Sequence, residues 1–318
     1  MQNKTIPVFF TIDDNYAPFL SVALSSAIKN SSPLRNYRAV ILYEKLTEEN
    51  RRRLSCLATD NFEISFVPMC KGLESITNRM SNRLRCDYFT LTIYFRLFIP
   101  AMFPEYDKAI YIDSDVVLLS DLAELYDTDI GDNYIGACRD LSVADVPPLC
   151  SYMENAVGVD RHEYINSGVL LMNLKKLRER EIDKHFLNLL NTYHFDCIAP
   201  DQDYLNALCH GKIYYLPEVW DTMPNDKQPP LKNAKLIHYN LFSKPWCYDG
   251  IQYGEYFWHY AKSSGYYQEI NEYKQGYTDE QKQSDSECLN LLLERGEAIT
   301  HMDVTFKKMF ESGVKIRL

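Results

Sequence analysis

Apolar residues in the first 120 positions recur with two different periods, alternately that of a strand and that of a helix. This alternation predicts an α/β architecture in which helices cover a mostly parallel sheet. The apolar run at 6–12 is rich in β-forming residues and predicts the first strand. Residues 39–43 and 62–67 predict further strands, and Thr47 is a candidate N-cap for the helix between them. The helix expected after the first strand has one apolar face, formed by Leu20, Ala23, Leu24, Ala27 and Ile28.

The same two patterns continue through the middle of the chain. Residues 92–102 predict a helix buried on most sides, and residues 108–112 predict a buried strand. The elements predicted further along are a strand at 167–172, helices at 175–190 and 201–208, and a strand at 235–238. We expect all of these elements to form one domain over residues 1–255.

Beyond that domain the composition shifts to charged and polar residues interrupted by tyrosines, which predicts a small helical appendage over residues 256–318. The clearest helical pattern in it lies at 288–294. Its last 18 residues contain basic and aromatic side chains, but only four Lys or Arg against two acidic residues. Peripheral contact with an anionic membrane through this end is therefore an alternative to a fully soluble protein.

Composition and charge narrow the class of protein further. With 318 residues, of which 46% are hydrophobic, the chain can bury a substantial core. It contains no run of roughly 20 apolar residues and no signal-peptide pattern, so we expect a cytoplasmic protein, with the inner membrane face as the alternative location. The nine cysteines are odd in number and never spaced Cys-x-x-Cys, which predicts reduced thiols.

The formal net charge of -10 disfavours nucleic-acid binding, which depends on lysine and arginine neutralising phosphates. We therefore expect no nucleic-acid partner. A phosphate-containing ligand would have to be held locally, by a metal ion or by a few well-placed cations.

Two of the predicted strands end in acidic residues. The first strand is followed by Asp13-Asp14-Asn15, and the strand at 108–112 is followed by Asp113-Ser114-Asp115. In open α/β sheets, ligands bind in the crevice beyond the carboxyl ends of the strands. The two acidic ends therefore predict one shared pocket.

Asp113 and Asp115 are two residues apart, so an extended backbone would point both carboxylates to the same side. Their repulsion would cost about 2 kcal/mol at an effective dielectric constant near 20, and a divalent cation would reverse its sign. An ordinary turn after a strand is the alternative explanation. The apolar runs on both sides of the pair favour a metal site, because solvation explains the charges poorly there.

Six separated segments give the chain a family resemblance, namely Phe10–Tyr16, Tyr94–Leu97, Ile110–Asp115, Ile165–Leu174, Asp201–Asn206 and His238–Trp246. In this order they resemble glycosyltransferase family 8. The resemblance implies the GT-A fold, a Rossmann-like, mixed but mostly parallel sheet flanked by helices. It also implies a nucleotide-diphosphosugar donor, a divalent metal ion and retention of anomeric configuration.

By this resemblance the metal ligands would be Asp113, Asp115 and His238. Carboxylate, imidazole and phosphate oxygen suit Mn²⁺ or Mg²⁺, with Mn²⁺ favoured because it accepts nitrogen more readily. Lys244 would meet the donor diphosphate and stabilise the charge of the leaving nucleotide. An ordinary solvated lysine is the alternative for this residue.

Further donor-binding residues follow from the matched segments. The nucleoside-binding segment would supply Thr11, Asp13, Asn15 and Tyr16, although the same residues also suit a simple strand-to-helix cap. Arg96 lies in an apolar segment and should meet either a carboxylate or the donor, and the resemblance favours the donor. By the resemblance, the remaining donor-binding positions would be Ser114, Asp140, Asn166 and Ser167. Asn166 and Asp140 would surround the transferred sugar together with Asp201 and Gln202.

The catalytic candidates are Asp201 and Gln202. Retention could proceed by double displacement, with Asp201 as nucleophile or cation stabiliser, and Gln202 is the alternative group on the reactive face of the sugar. It could also proceed by front-face attack within a tight ion pair, in which the leaving phosphate serves as the base. The residues alone leave both routes open.

Two regions depart from the family pattern or extend it. The loop after His238 commonly carries a glycine near the diphosphate, whereas residues 240–243 of this chain include none. Residues 71–85 contain Arg79, Arg83 and Arg85. We expect this segment to form a loop over the donor that is mobile without it.

The resemblance therefore implies a retaining, metal-dependent transferase that moves glucose or galactose from a UDP-sugar to an acceptor. The expected acceptor is a glycan or lipid-linked sugar of a surface polysaccharide such as lipopolysaccharide or capsule. A self-glucosylating or protein-glucosylating transferase is one alternative, since the chain has 24 tyrosines. A catalytically silent sugar-nucleotide-binding scaffold is another. The oligomeric state is not predicted.

Overall fold

A computed structural model describes residues 5–69 and 91–318, with side chains of the second segment described from residue 93. Its main sheet has seven strands in the order β3-β2-β1-β4-β7-β6-β8, and a second sheet pairs β5 with β9. The strands are β1 (Ile6–Ile12), β2 (Tyr37–Tyr43), β3 (Phe62–Pro68), β4 (Ala109–Ile112), β5 (Val116–Leu118), β6 (Ile135–Arg139), β7 (Ile165–Met172), β8 (Ile213–Tyr215) and β9 (Leu236–His238).

Helices connect these strands and cover the sheet. The α-helices are α1 (Ala17–Asn30), α2 (Glu48–Ser55), α3 (Ile99–Met102), α4 (Leu122–Tyr126), α5 (Pro147–Tyr152), α6 (Leu174–Glu179), α7 (Ile182–Tyr193), α8 (Pro200–Leu208), α9 (Gly254–Ala261), α10 (Tyr267–Gly276), α11 (Asp279–Thr300) and α12 (Phe306–Glu311). Short 3₁₀ segments lie at Asp14–Tyr16, Leu91–Leu97 and Glu218–Trp220, and a π-helical segment lies at Met153–Val157.

The sheet is mixed. β1 is parallel to β2 and β4, β2 is parallel to β3, and β6 is parallel to β8. Only β7 runs against its neighbours in this sheet, antiparallel to both β4 and β6. The predicted α/β architecture, including the mixed, mostly parallel sheet of the GT-A fold, is therefore confirmed.

Hydrophobic clusters lie on both faces of the sheet, because successive strand residues point in opposite directions. On β1, Phe9 belongs to one cluster, whereas Val8 and Phe10 belong to the other. The second cluster also contains the buried face of α1, while the first receives residues of α7 and α8. Both faces of the central strands β1, β4 and β7 are thus covered, and the edge where β1 and β4 end remains accessible to a ligand.

Most of the predicted elements are confirmed, with shifted bounds. β1 has the predicted limits, and the Thr47 side chain accepts a hydrogen bond from Asn50 N as the N-cap of α2. The continuous helix predicted over 92–102 is wrong, since a 3₁₀ segment is followed by α3. Pro100 near the start of α3 explains the break, because its ring clashes with the carbonyl four residues earlier.

The helix predicted over 175–190 is also divided. Glu181 has a φ of 51°, in the left-handed region, and so separates α6 from α7. The strands β5, β6 and β8 were not predicted. Each is short, at three to five residues, and a run of that length has too few positions to show a period.

The C-terminal segment consists of helices that pack against the rest of the chain. Phe257 and Ile270 lie in one hydrophobic cluster, while Leu292 and Ile299 lie in the other. The aromatic ring of Phe306 lies 4.1 Å from that of Phe195, between centroids. The predicted division at residues 255 and 256 remains a prediction. No helix of the described ranges is both long and apolar enough to traverse a lipid bilayer.

We predict that Phe306→Ala lowers the free energy of unfolding by about 3–5 kcal/mol, because it deletes a buried ring and leaves a cavity. Phe306 is 2% exposed, whereas Phe310 on the same helix is 44% exposed. Phe310→Ala is therefore the matched control and should cost about 1 kcal/mol or less. Urea denaturation measures both values. Equal effects would show that α12 does not anchor the C-terminal segment to the core.

Candidate active site

The carboxyl ends of β1 and β4 lie side by side, as expected for parallel neighbours. The register pairs Val8 with Ile110, so the segments that follow both strands reach the same edge of the sheet. Ser114 donates a hydrogen bond from Oγ to the Thr11 carbonyl, at 3.2 Å. The two acidic strand ends therefore share one edge of the sheet, while the ligand pocket expected there remains a prediction.

His238 reaches this edge through the small second sheet. The antiparallel pairing of β5 with β9 sets Val116 opposite His238, and Tyr239 N donates to the Asp115 carbonyl at 2.9 Å. The imidazole consequently lies beside both aspartates. Its Nε2 atom is 3.3 Å from Asp115 Oδ1 and 3.9 Å from Asp113 Oδ2.

Asp113, Asp115 and His238 form a cluster in which one ligand atom from each lies within 4.8 Å of the others. Two carboxylate oxygens and one imidazole nitrogen are a donor set that suits Mn²⁺ and also accepts Mg²⁺. The three residues proposed from the resemblance are therefore brought together, and their chemistry fits a divalent ion.

The opposite nitrogen of His238 has a partner that the sequence did not reveal. Nδ1 lies 2.9 Å from Oδ1 of Asp221, whose side chain is fully buried. Burial disfavours the charged ring, but Asp221 and Asp115 outweigh it and raise the pKa of His238 to about 10. Without a metal ion, His238 is therefore an imidazolium at neutral pH.

Gly168 in β7 lies directly against this imidazole. A Cβ atom at position 168 would be 2.3 Å from His238 Cε1, closer than atoms can approach. Gly168 also accepts a backbone hydrogen bond from Asp113 N, at 2.8 Å. Because glycine has no side chain, β4, β7 and β9 can converge on one site here. Glycine within a strand often marks such a close approach of another group to the backbone.

Lys244 is almost completely buried and is bound to the metal-site cluster. Its Nζ donates to Asp115 Oδ2 and to the Tyr239 carbonyl. Burial opposes ionisation of Asp115, but Lys244 and His238 outweigh it and hold the pKa of that carboxyl well below its usual range. The description of Lys244 as an ordinary solvated lysine is excluded by this burial and pairing.

The loop between His238 and Lys244 contains one unusual backbone conformation. Leu241 has a φ of 49°, in the left-handed region that glycine occupies without strain. A leucine there costs about 1–2 kcal/mol. The chain thus keeps a glycine-like turn in this loop although the residue is not glycine.

Arg96 is 3% exposed and joins two parts of the site. Its Nη2 donates to Asp113 Oδ1 at 2.9 Å, and its Nη1 lies 3.1 Å from Asp201 Oδ2. Burial works against the charged guanidinium, but the two carboxylates outweigh it and raise its pKa. Arg96 was expected to meet either a carboxylate or the donor. The structure shows the carboxylate partners, whereas a contact with the donor remains a prediction.

The residues predicted around the transferred sugar form one buried hydrogen-bond network. Asp140 Oδ2 accepts from Asn166 Nδ2 and from Gln202 Nε2, both at 3.0 Å. Gln202 Oε1 accepts from Ser167 N at 3.1 Å, and Ser167 Oγ donates to Asp201 Oδ2 at 2.9 Å. The network fixes the orientation of both catalytic candidates.

The segment Thr11 to Tyr16 combines a structural role with an accessible surface. Asp13 caps the 3₁₀ segment by accepting from Asn15 N at 2.9 Å and Tyr16 N at 3.2 Å. Thr11 Oγ1 is 2.8 Å from the hydroxyl of Tyr111, which donates to Asp113 Oδ1 at the same distance. The capping role is therefore confirmed, while nucleoside binding remains a prediction.

The loop predicted over residues 71–85 lies outside the described residues. Tyr111, Gly168 and Asp221 touch the metal-site cluster and were not predicted as site residues. Tyr111 could have been found from its position, because residues 111 and 113 of an extended segment point to the same side. No sequence signal marks Asp221.

The sequence profile of glycosyl transferase family 8 matches residues 7–250. The chain belongs to this family. Family 8 membership confirms the resemblance drawn from the six segments. The profile covers every residue assigned to the site.

Several proteins and structures are similar to this family 8 chain. A putative glycosyltransferase of Haemophilus influenzae is 33% identical over 226 residues, which are 71% of this chain and 66% of that protein. A lipopolysaccharide 1,2-glucosyltransferase of Escherichia coli is 25% identical over 287 residues, covering 79% of this chain and 77% of the relative. The chain therefore spans about two thirds to three quarters of these relatives.

Solved structures show the same fold. Galactosyltransferase LgtC, solved in complex with donor and acceptor sugar analogues, has a TM-score of 0.69 and 29% identity, covering 81% of this chain and 96% of LgtC. The bifunctional glycosyltransferase WbbM has a TM-score of 0.73 at 24% identity, covering 86% of this chain and 52% of WbbM. WbbM thus supports the fold alone.

We predict that the metal-free protein loses stability as pH rises from 6.5 to 8. The pKa of His238 in the folded protein, about 10, lies above the ordinary value of 6.5. Protonation of His238 therefore contributes its full stabilisation only below pH 6.5, and this contribution is lost as the pH rises toward 10. The free energy of unfolding should fall with a slope on the order of 1 kcal/mol per pH unit. Urea denaturation in EDTA across this range measures it.

His238→Gln should remove this slope. His210→Gln is the control, because burial lowers the pKa of His210, so its own contribution to stability changes mainly below pH 6.5 and the slope from 6.5 to 8 should remain. An unchanged slope in His238→Gln would contradict the assignment of the titrating proton to the His238 ring.

Proposed function

We propose that this family 8 glycosyltransferase moves a hexose, glucose or galactose, from a UDP-sugar to an acceptor sugar with retention of configuration. The acceptor we propose is a sugar of a surface glycan such as lipopolysaccharide or capsule. The observation that carries the proposal is the convergence of Asp113, Asp115 and His238 at the carboxyl edge of the sheet. Similarity to a lipopolysaccharide 1,2-glucosyltransferase supports the acceptor class.

Asp113, Asp115 and His238 would hold a Mn²⁺ or Mg²⁺ ion. When bound, the ion would neutralise the donor diphosphate and the charge that develops on the leaving nucleotide. Lys244 is the protein's own cation for the same charge, since its ammonium group is already held by hydrogen bonds to Asp115 and to the Tyr239 carbonyl. A cation fixed before the reaction stabilises developing charge without further reorganisation.

The nucleoside would bind along Thr11 to Tyr16. Tyr16 is 37% exposed, which leaves ring surface for a stacked uracil, and its edge-to-face packing against Phe19 fixes the ring plane. The Asp13 carboxylate accepts from the backbone on one oxygen, Oδ1. The other oxygen is the group that we assign to recognition of the base.

The hexose would bind against Asp140, Asn166, Asp201 and Gln202, whose side chains are all buried in the network at the start of β7. Asp201 is our candidate for the carboxylate near the anomeric carbon. Burial raises its pKa, while Arg96 opposes that effect and favours the charged form needed to stabilise a cationic sugar. In front-face attack the leaving phosphate would take the proton of the acceptor hydroxyl.

Other parts of the proposal concern location and partners. We propose a cytoplasmic enzyme with a catalytic domain over 1–255, an appendage over 256–318, and no nucleic-acid partner. Peripheral membrane contact would use the exposed side of α12, where Phe310 is accessible. Self-glucosylation or protein glucosylation is the second candidate, because partly exposed tyrosines are present at positions 214, 256, 267 and 273.

Calorimetric titration with UDP, UDP-glucose, UDP-galactose and GDP-mannose tests the donor site. We predict that uridine nucleotides bind with Mn²⁺ and not with EDTA, and that Asp115→Ala weakens this binding about 100-fold or more because it removes a charged metal ligand. Asp127→Ala is the control, since Asp127 is exposed and pairs with Arg35 away from the site. Metal-independent binding would favour the catalytically silent sugar-nucleotide-binding scaffold, and absent binding would overturn the donor site.

Product analysis tests the reaction. UDP-glucose and UDP-galactose carry α-anomeric linkages, so retention predicts an α-linked hexose in the product, read from the anomeric coupling in proton NMR. Asp201→Asn should lower kcat by about 10²-fold or more because the stabilising charge is lost. A β-linked product would overturn retention. A protein mass that rises in steps of one hexose would instead support self-glucosylation.

A further inference from the structure

We propose that Asp221 is a positioning residue for the metal site, which holds the His238 ring with Nε2 toward Asp113 and Asp115 and so sets the affinity for the ion. The inference rests on the proposed metal site, and it adds to the three proposed ligands a residue that does not itself bind the ion. Asp221 would touch neither the metal ion nor the sugar. It would act only through the imidazole.

The backbone places Asp221 opposite His238 and leaves little freedom in that placement. Asp221 follows the 3₁₀ segment Glu218–Trp220, and the next residue, Thr222, forms a parallel bridge to Ile237. His238 N donates to the Thr222 carbonyl at 2.9 Å, and Thr222 N donates to the Leu236 carbonyl at 3.0 Å. The loop that contains Asp221 is thereby hydrogen-bonded to β9 on the edge opposite β5.

The side-chain contact determines which imidazole nitrogen can bind the ion. Asp221 Oδ1 lies 2.9 Å from His238 Nδ1 and can only accept there when it is ionised, so the ring hydrogen belongs on Nδ1. Nε2 then carries the lone pair of the neutral ring and faces the two aspartates. Histidine ligands of metal ions commonly donate their second ring N–H to a carboxylate in this way.

The other oxygen of Asp221 argues against a purely structural explanation. Oδ2 is buried and has no hydrogen-bond partner among residues 5–69 and 91–318. An unpaired buried carboxylate oxygen lowers stability, so packing alone does not account for a charged residue here. The contact with His238 is the interaction that remains to explain it.

Gly168 restricts the ring from another direction. Because a Cβ at position 168 would overlap Cε1 and crowd Nδ1 of His238, the backbone of β7 lies against the ring and leaves it little room to rotate. The hydrogen bond to Asp221 selects the tautomer, and the close approach of Gly168 selects the ring position. Without Asp221, the position of the His238 ring would still be restricted by Gly168, but the neutral ring could carry its hydrogen on either nitrogen.

Mn²⁺ binding in the absence of nucleotide, measured from the free-ion signal in electron paramagnetic resonance, tests the proposal on the full chain. Asp221→Ala should weaken Mn²⁺ binding about 10- to 100-fold, the range found for partners of metal-binding histidines. Asp221→Asn retains an oxygen that can accept from Nδ1 and should lose less. This partial rescue is expected only for an effect that passes through the imidazole.

The matched control is Asp203→Asn. Asp203 also carries a completely buried carboxylate, which accepts hydrogen bonds from the hydroxyls of Tyr152 and Tyr164 and makes none of the contacts given for the metal-site cluster. Asp203→Asn should lower thermal stability while changing Mn²⁺ affinity less than about twofold. Any general effect of replacing a buried carboxylate would appear in this variant too.

Each outcome has a defined meaning. Wild-type affinity in both Asp221 variants would overturn the inference and leave the proposed function intact. Equal losses in the Asp221 and Asp203 variants would also overturn it, by showing a general structural effect. A wild-type protein that binds no Mn²⁺, with or without UDP, would overturn the metal site itself. If Asp221→Ala does not fold, Asp221→Asn decides by the same comparison.

Discussion

The antiparallel pairing of β5 with β9 is the interaction on which the candidate active site depends. β5 continues directly from Asp115, and β9 ends at His238, so this three-residue ladder joins two segments that are distant along the chain. Its register decides which residue stands beside the acidic pair. A slip of one residue would turn the His238 side chain to the opposite face, because strand side chains alternate.

Buried charge is the second constraint on this edge of the sheet. Three carboxylates, Asp113, Asp115 and Asp221, surround His238, and Lys244 and Arg96 pair with two of them. Taking these groups out of water is costly unless each charge has a close partner. In the absence of a metal ion, the protein's own cations supply the partners. Binding of a divalent ion would therefore require the proton on His238 Nε2 to leave.

The two halves of the site are joined by Arg96. It contacts Asp113 on the metal side and Asp201 on the sugar side, while the network of Asp140 and Gln202 continues from Ser167. Because a guanidinium has several donors in fixed directions, one residue orients both carboxylates. A change on one side of Arg96 is consequently expected to affect the other side.

The sequence by itself determined the α/β class, the family, the acidic strand ends and the residues matching the family segments, because these are local patterns or motifs. Asp113 and Asp115 could be recognised from their spacing and flanks alone. Asp221, Gly168 and the carboxylate partners of Arg96 were decided only by the tertiary structure. Their roles depend on which segments lie against one another, through the β5–β9 pairing and the bridge of Thr222 to Ile237. Contacts between distant segments leave no period or spacing in the chain, so no local pattern could have revealed them.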